Sequence, residues 1–240
     1  MRIVYLAERL AYLSLIMLVA SAVTVRADLA HFRVGLLIFA ASALFSLSAI
    51  TLSALFSRRC KDANDQKRLS RAAIIALPAI SFMAFNILSG SNRPLIHNIS
   101  TDLASPPSFI AAASLRKPGD NPLVYSKEVA DVQRAAYPDL TGITTTLPLD
   151  RAQKLCIITA QDMGWEIHYQ QPGHIEATSR SFWFGFTDDI VIRLQETEGG
   201  SKIDLRSVSR VGKGDLGANA ERIMRFNAQL AQRLDTMQQP

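Results

Sequence analysis

Residues 165–211, with the sequence WEIHYQQPGHIEATSRSFWFGFTDDIVIRLQETEGGSKIDLRSVSRV, contain the strongest structural pattern in this chain of 240 residues. β-Branched and aromatic residues alternate with polar ones, and short turn-like segments interrupt the alternation at 171–173, 187–189 and 199–200. Segments of this kind commonly connect the strands of hairpins. The pattern predicts an antiparallel meander of four strands, at 165–170, 173–186, 190–197 and 202–211.

Alternation assigns the side chains of these strands to two faces of the sheet. Ile190, Ile192 and Leu194 share the apolar face, so Arg193 lies on the other face. The remaining members of this polar face are Glu176, Thr178, Arg180, Asp204, Arg206 and Arg210. We expect a solvated face with cross-strand ion pairs. The alternative is that its arginines bind an anionic ligand such as a lipid head group.

The aromatic run at 182–186 does not fit this parity, because Phe182, Phe184 and Phe186 would face outward with the charged residues. Either a bulge near 179–181 resets the alternation, or the outer face carries an aromatic patch. We favour the bulge, because it buries three phenylalanines that are worth ~1.5 to 3 kcal/mol each.

Helical patterns flank the meander. Helices are predicted at 127–137, from Asp150 as N-cap to Met163, and from Leu216 to about Met237, with Asp215 capping the last one. Proline-rich residues 93–125 are expected to form an extended arm. The order predicts a two-layer α+β domain in which helices cover one face of an antiparallel sheet.

The N-terminal region contains three uncharged runs, at 10–25, 34–57 and 72–92. About 20 helical residues cross a bilayer core of ~30 Å, so we expect membrane spans at about 9–25, 34–57 and 72–90. The chain is then a three-helix membrane anchor at 1–92 and an exported α+β domain at 93–240. A cleaved signal sequence is the alternative explanation of the first run.

Lysine and arginine are distributed unevenly around these runs, and cytoplasmic loops retain positive charge. Eight lie on the side of the N-terminus and the 58–71 loop, and three, Arg26, Arg33 and Arg93, lie near the membrane on the other side. This predicts a bacterial inner (plasma) membrane protein with a cytoplasmic N-terminus and a periplasmic C-terminal domain. The net charge of +5 divides into +6 for the first 92 residues and −1 for the remainder, so nucleic acid is not an expected partner.

Small residues form a stripe along the second span, at Ser42, Ser46, Ala49 and Ser53. A stripe of this kind permits close helix approach. We favour packing within the chain over the alternative, a homo-oligomer seam. The three runs contain no ionisable residue, which argues against a transporter.

Segment 206–219, RSVSRVGKGDLGAN, is a glycine-containing strand-to-helix connection whose backbone amides could face an anion. Its spacing matches neither the dinucleotide fingerprint nor the phosphate loop, and Asp215 would compete with an anion, so we favour a structural junction. Arg206, Arg210 and Asp215 would act in a cleft if the segment were catalytic. The histidines and carboxylates have no metal-site spacing or catalytic motif, so no metal or cofactor is predicted.

Five segments together resemble the domain-of-unknown-function 1499 family: RPLIHNISTDLASPPSF (93–109), AAYPDL (135–140), GW (164–165), IEATSRSFWFGFTDDIVIR (175–193) and RSVSRVGKGDLGANAERI (206–223). The resemblance extends over about 93–235 and implies no established activity. It directs attention to two groups of motif positions as candidate ligand-binding residues. The first, at 182–189, includes Trp183 and Asp188, and the second, at 206–219, includes Arg206, Arg210, Asp215 and Asn219.

These observations favour a noncatalytic inner-membrane protein whose periplasmic domain binds or scaffolds an envelope component. Expected partners are membrane lipid and an envelope protein or anionic lipid ligand. The alternative is an envelope enzyme that uses the 206–219 connection.

Overall fold

A computed structural model describes residues 2–238 of the chain. Two compact units are present. The first contains the residues up to Asn92 together with Phe182–Gly185, and the second contains Arg93–Ser181 and the residues from Phe186 onward.

Three long helices build the first unit: α1 (Arg2–Arg26), α2 (Phe32–Ser57) and α3 (Ala63–Gly90). All three are long and apolar enough to cross a membrane. Helix α3 begins within the predicted 58–71 loop, because the Asp62 side chain accepts a hydrogen bond from the Asp65 amide (2.9 Å) and caps it. The connection between α2 and α3 is therefore only five residues long, at 58–62.

The small-residue stripe of α2 packs inside this unit. All four members are buried, with exposed fractions of 4% or less. The Ser42 hydroxyl donates to the Ser14 carbonyl of α1 (2.7 Å), and the Ser46 hydroxyl donates to the Ala76 carbonyl of α3. The stripe thus joins the helices of one chain.

Helix α1 is also tied to α3 through Glu8, a charged residue that the sequence pattern left unassigned. The Glu8 carboxylate is buried and accepts hydrogen bonds from Arg68 (2.8 Å) and Arg71. The Arg68 guanidinium lies over the Tyr5 ring, 4.8 Å from its centroid.

The second unit contains a six-stranded antiparallel sheet. Its strands are β1 (Asn98–Ser100), β2 (Ile143–Thr145), β3 (Glu166–Gln171), β4 (His174–Arg180), β5 (Thr187–Thr197) and β6 (Gly200–Ser209). They are ordered β1-β6-β5-β4-β3, and β2 also pairs with β6, at another part of its length from β1. The helices are α4 (Ala112–Leu115), α5 (Lys127–Ala136), α6 (Leu149–Asp162) and α7 (Ala218–Gln238). The predicted α+β architecture and meander are confirmed.

The apolar face of the sheet forms the core with α6 and α7. Ile190, Ile192 and Leu194 are buried there as the alternation predicted, and Trp165 stacks on Phe226 with ring centroids 5.2 Å apart. Two predicted helix starts are wrong. Pro148 rather than Asp150 is the cap residue of α6, and α7 begins at Ala218.

Leu216 therefore lies outside the stripe of α7. The Asp215 carboxylate accepts hydrogen bonds from the Gly217 amide (2.8 Å) and the Asn219 amide (2.7 Å). This closes a turn in which Leu216 has φ +55° and Gly217 φ +84°, so the chain is not yet helical and the Leu216 side chain is half exposed.

The predicted strand at 173–186 is also wrong in its second half. Strand β4 ends at Arg180, and Ser181 and Phe186 close the β4–β5 connection: the Ser181 amide donates to the Phe186 carbonyl (2.8 Å). The aromatic run leaves the sheet, so neither the bulge near 179–181 nor the outer-face patch is present. The segment at 187–189, expected to be a turn, is the start of β5.

The expectation of a solvated polar face is wrong. Glu176, Asp204 and Arg206 have exposed fractions of 0%, 0% and 4%. The predicted arm covers them, and part of this arm forms β1 and α4. We call residues 101–125 the strap.

Candidate functional site

The strap is held to the sheet by ion pairs and hydrogen bonds between its own residues and the polar face. At its beginning, the Arg193 guanidinium lies 2.9 Å from both Asp102 and Asp204, and it donates to the Ser105 carbonyl (2.8 Å). Burial raises the pKa of Asp102, but the Ser105 amide and Arg193 outweigh it and hold that pKa below its usual range. The Lys202 ammonium completes this group, 3.1 Å from Asp204.

Arg206 lies in the middle of the face and is enclosed by the strap. It donates to the Asn98 side-chain oxygen (3.0 Å) and to the carbonyls of Pro107 (3.1 Å) and Leu123. The rings of Phe109 and Tyr125 lie on it, with centroids 5.3 and 5.5 Å away.

No carboxylate of the described residues pairs with this guanidinium, and burial lowers the pKa of Arg206 to about 10. Arg206 is still a cation at neutral pH. It is held by carbonyl dipoles and aromatic faces in place of a counter-ion.

Asp189 forms the third attachment point. Its carboxylate, fully buried, accepts hydrogen bonds from Arg116 of the strap (2.8 Å) and from Arg210 (2.7 Å). Arg210 also donates to the Leu115 carbonyl (3.0 Å). Asp189 thus supplies the counter-charge for two arginines whose side chains are largely buried.

Glu176 is the fourth attachment point and the group with the most hydrogen bonds. Its carboxylate accepts bonds from the backbone amides of Ile110, Ala111 and Ala112, and His174 Nε2 lies 2.8 Å from Oε1. Burial raises the pKa of Glu176, but the bonds from His174 and the three amides outweigh it, so that pKa is lowered. The His168 ring is nearby, with Nε2 3.9 Å from Oε2, and neither of its nitrogens has a hydrogen-bond partner among residues 2–238.

A separate polar network lies on the opposite, helix-covered face. The Arg222 guanidinium lies 2.5 Å from Asp188 and donates to Asn219 (2.6 Å) and Ser207 (3.0 Å). Asn219 in turn donates to the Ser209 hydroxyl (2.9 Å). Burial raises the pKa of Asp215, and the nearby charge of Asp188 adds to this effect.

The six residues predicted as a site are therefore not brought together. Arg206 and Arg210 contact the strap, whereas Asp188, Asp215 and Asn219 lie on the helix-covered side of the sheet. Trp183 belongs to the other unit, where its ring lies 5.0 Å from that of Phe82. Sequence reasoning missed Arg116, Asp189 and Arg222 as site residues, although the strand period alone would have placed the adjacent Asp188 and Asp189 on opposite faces.

The charged side chains of the two faces are mainly held in ion pairs and hydrogen bonds within the chain. Within the described residues no group of three or more His, Cys, Asp or Glu side chains has an arrangement that could hold a metal ion. One open groove of the second unit, about 480 Å³, lies between β2 and α7 and is lined by none of the six predicted residues. Glu176 and His174 form a hydrogen-bonded carboxylate–histidine pair on the polar face, and the Glu176 oxygens also accept hydrogen bonds from the strap.

Replacement of Asp189 by asparagine should lower the free energy of unfolding of the full chain in detergent by about 3–5 kcal/mol, because Arg116 and Arg210 lose their shared counter-charge. Denaturant titration in a Trp183→Phe background, with Trp165 fluorescence as the signal, measures this.

Asp131→Asn is the matched control. It breaks the exposed Arg134–Asp131 pair (2.8 Å), which is worth only about 0–1 kcal/mol. Equal losses in the two variants would show that Asp189 does not carry the attachment.

The Glu176 carboxylate should make stability depend on pH. Its folded pKa lies below the ordinary value of 4.5, so its contribution is fully present above 4.5 and is lost as pH falls through the folded value. Glu176→Gln should therefore be less stable than the wild type at neutral pH, and the difference should shrink below pH 4.5. A difference that stays constant across the acid range would contradict this assignment.

Comparison with known protein families identifies the family of this chain. Residues 98–230, more than half of the chain, match the family described as Protein of unknown function (DUF1499). The match includes β1, the whole strap and most of α7. No curated protein matches the chain. The chain therefore belongs to the DUF1499 family, as its motifs indicated.

Proposed function

We propose that this protein is a membrane-anchored binding module of the bacterial inner membrane. Residues 1–92 anchor it, and residues 93–240 form a periplasmic domain that binds an envelope protein or an anionic lipid. Three helices with the length and apolar composition of membrane spans support the anchor.

Charge distribution supports the orientation. Lys67, Arg68 and Arg71 lie in the first turns of α3, and Glu8 near the start of α1 pairs with two of them. The basic residues of the 58–62 connection lie at the same end of the helices. Because positive charge is retained in the cytoplasm, this end is cytoplasmic and the chain after α3 is exported.

The binding role is supported mainly by one observation: the side chains that could serve catalysis are hydrogen-bonded or ion-paired within the chain. Arg206, Arg210, Asp188, Asp215 and Asn219 each have hydrogen-bond or ion-pair partners within the chain. The sheet separates the two arginines from Asp215, so the 206–219 connection does not collect them in one cleft. This favours binding over the alternative, an envelope enzyme.

Apolar side chains exposed on the helices offer surface for a partner. Ile158 of α6 and Met224 of α7 have exposed fractions of 42% and 44%. An open groove of about 640 Å³ between α6 and α7 is lined by Leu155, Ile158 and Arg233.

Topology can be read from C-terminal reporter fusions in cells. We expect a C-terminal alkaline phosphatase fusion to be active and a fusion to a fluorescent protein that folds only in the cytoplasm to be dark, because the last span runs outward. The opposite pair of results would overturn the orientation.

Photo-crosslinking in intact cells tests the binding role. A photoreactive amino acid at Ile158 or Met224 should give a discrete adduct with a protein or lipid, identified by mass spectrometry. The same group at Glu198, in the exposed β5–β6 turn, is the matched control. Adducts from neither helix position, or the same adducts from Glu198, would contradict a specific binding surface on these helices.

A further inference from the structure

The segment Phe182–Gly185 is the β4–β5 connection, yet it belongs to the unit formed by the three long helices. The Trp183 ring lies 5.0 Å from that of Phe82 in α3, and the Phe184 ring lies 5.8 Å from that of Phe39 in α2. Phe39 and Phe82 are themselves 5.3 Å apart. We call residues 182–185 the aromatic loop.

The contacts of the aromatic loop lie well inside the ends of the helices. Phe39 follows the first residue of α2 by seven positions, and Phe82 precedes the last residue of α3 by eight. At a rise of 1.5 Å per residue, these positions are about 10 and 12 Å from the helix ends. Helix α2, with 26 residues, extends about 39 Å and exceeds a hydrocarbon core of ~30 Å by only about 5 Å at each end. The first turns of α3 carry Lys67, Arg68 and Arg71, so the excess length of this helix lies at its start, and its uncharged residues extend to the end at Gly90.

The end of helix α1 indicates the membrane depth at which the aromatic loop begins. Arg26, its last residue, donates a hydrogen bond to the Phe182 carbonyl. Arginine at a helix end keeps its charged group at the membrane surface. The loop therefore begins at the level of the head groups, and Trp183 and Phe184 extend from there to the depth of Phe39 and Phe82.

The Phe182 side chain is 90% exposed, the largest exposed fraction among the large apolar side chains of the described residues. A phenylalanine held this way in water forgoes the favourable free energy that burial of its ring would supply. In the same unit, α1 and α2 present exposed apolar side chains of their own, such as Val23 (50%) and Leu37 (70%). The exposed ring thus belongs to the same unit as the apolar side chains that the three candidate spans expose.

We propose that the aromatic loop is inserted in the outer leaflet of the membrane, with the Phe182 ring among lipid acyl chains and Trp183 and Phe184 packed on α2 and α3. The loop is then a fourth membrane contact, formed by residues about ninety positions after the last span. This inference rests on the proposed membrane anchor, because it requires the three helices to cross a bilayer.

Quenching of tryptophan fluorescence by brominated lipids tests the insertion. The full chain has two tryptophans, so Trp165→Phe with Trp183→Phe gives a silent background into which single tryptophans are introduced. The reporter is Phe182→Trp, in bilayers of phosphatidylcholine with or without bromine on the acyl chains. Leu44→Trp, at a position of α2 with an exposed fraction of 64%, is the lipid-facing control, and Glu198→Trp is the water-facing control.

We expect Phe182→Trp to be quenched to an extent comparable with Leu44→Trp, and Glu198→Trp to be unaffected. Strong quenching of Leu44→Trp together with unquenched Phe182→Trp would overturn the insertion and leave the membrane anchor standing. Blue-shifted but unquenched emission from Phe182→Trp would also overturn it, by showing that a protein surface covers the ring. Absence of quenching at Leu44→Trp as well would overturn both proposals.

A second reporter leaves the loop unaltered. In the single variant Trp165→Phe, the natural Trp183 is the remaining tryptophan, and it should also be quenched by lipid brominated near the head groups. An unquenched Trp183 in bilayers where Leu44→Trp is quenched would count against the insertion in the same way.

Discussion

A charged group that leaves water must be given a partner, and the sheet of the second unit depends on this constraint. Its polar face carries Glu176, Asp189, Asp204 and Arg206 at full or nearly full burial. The strap supplies the missing partners: backbone amides for Glu176, Arg116 for Asp189, and carbonyls and aromatic rings for Arg206. These contacts hold the strap, which has little regular secondary structure, in a single conformation on the sheet.

The same constraint explains why the motif residues do not form one cleft. Asp188 and Asp189 are neighbours in β5, and alternation sends one carboxylate to the helices and the other to the strap. Arg222 pairs with the first, and Arg116 with Arg210 pairs with the second. The 206–219 connection contributes to both sides. Its residues thus have structural roles on both faces of the sheet.

Strand alternation predicted the apolar and polar faces correctly, because the side-chain period is a local property. It could not reveal that the polar face is covered, because the strap has no periodic pattern and its partners lie 60 to 100 residues away in the chain. The two short strands, β1 and β2, are three residues each and too short for a pattern to be recognised. The aromatic run at 182–186 has strand-like composition, and its exit from the sheet depends on contacts with Phe39 and Phe82 that composition does not show.

Amide hydrogen exchange of the full chain in detergent measures the closure of the strap most directly. If Glu176 holds the strap on the sheet, the amides of Ile110, Ala111 and Ala112 should be protected to a degree similar to those of β5 and β6. Gly119, in an exposed turn of the same strap, should exchange rapidly. Exchange at residues 110–112 as fast as at Gly119 would show that the polar face is open to water, and the account of paired buried charge would then be wrong.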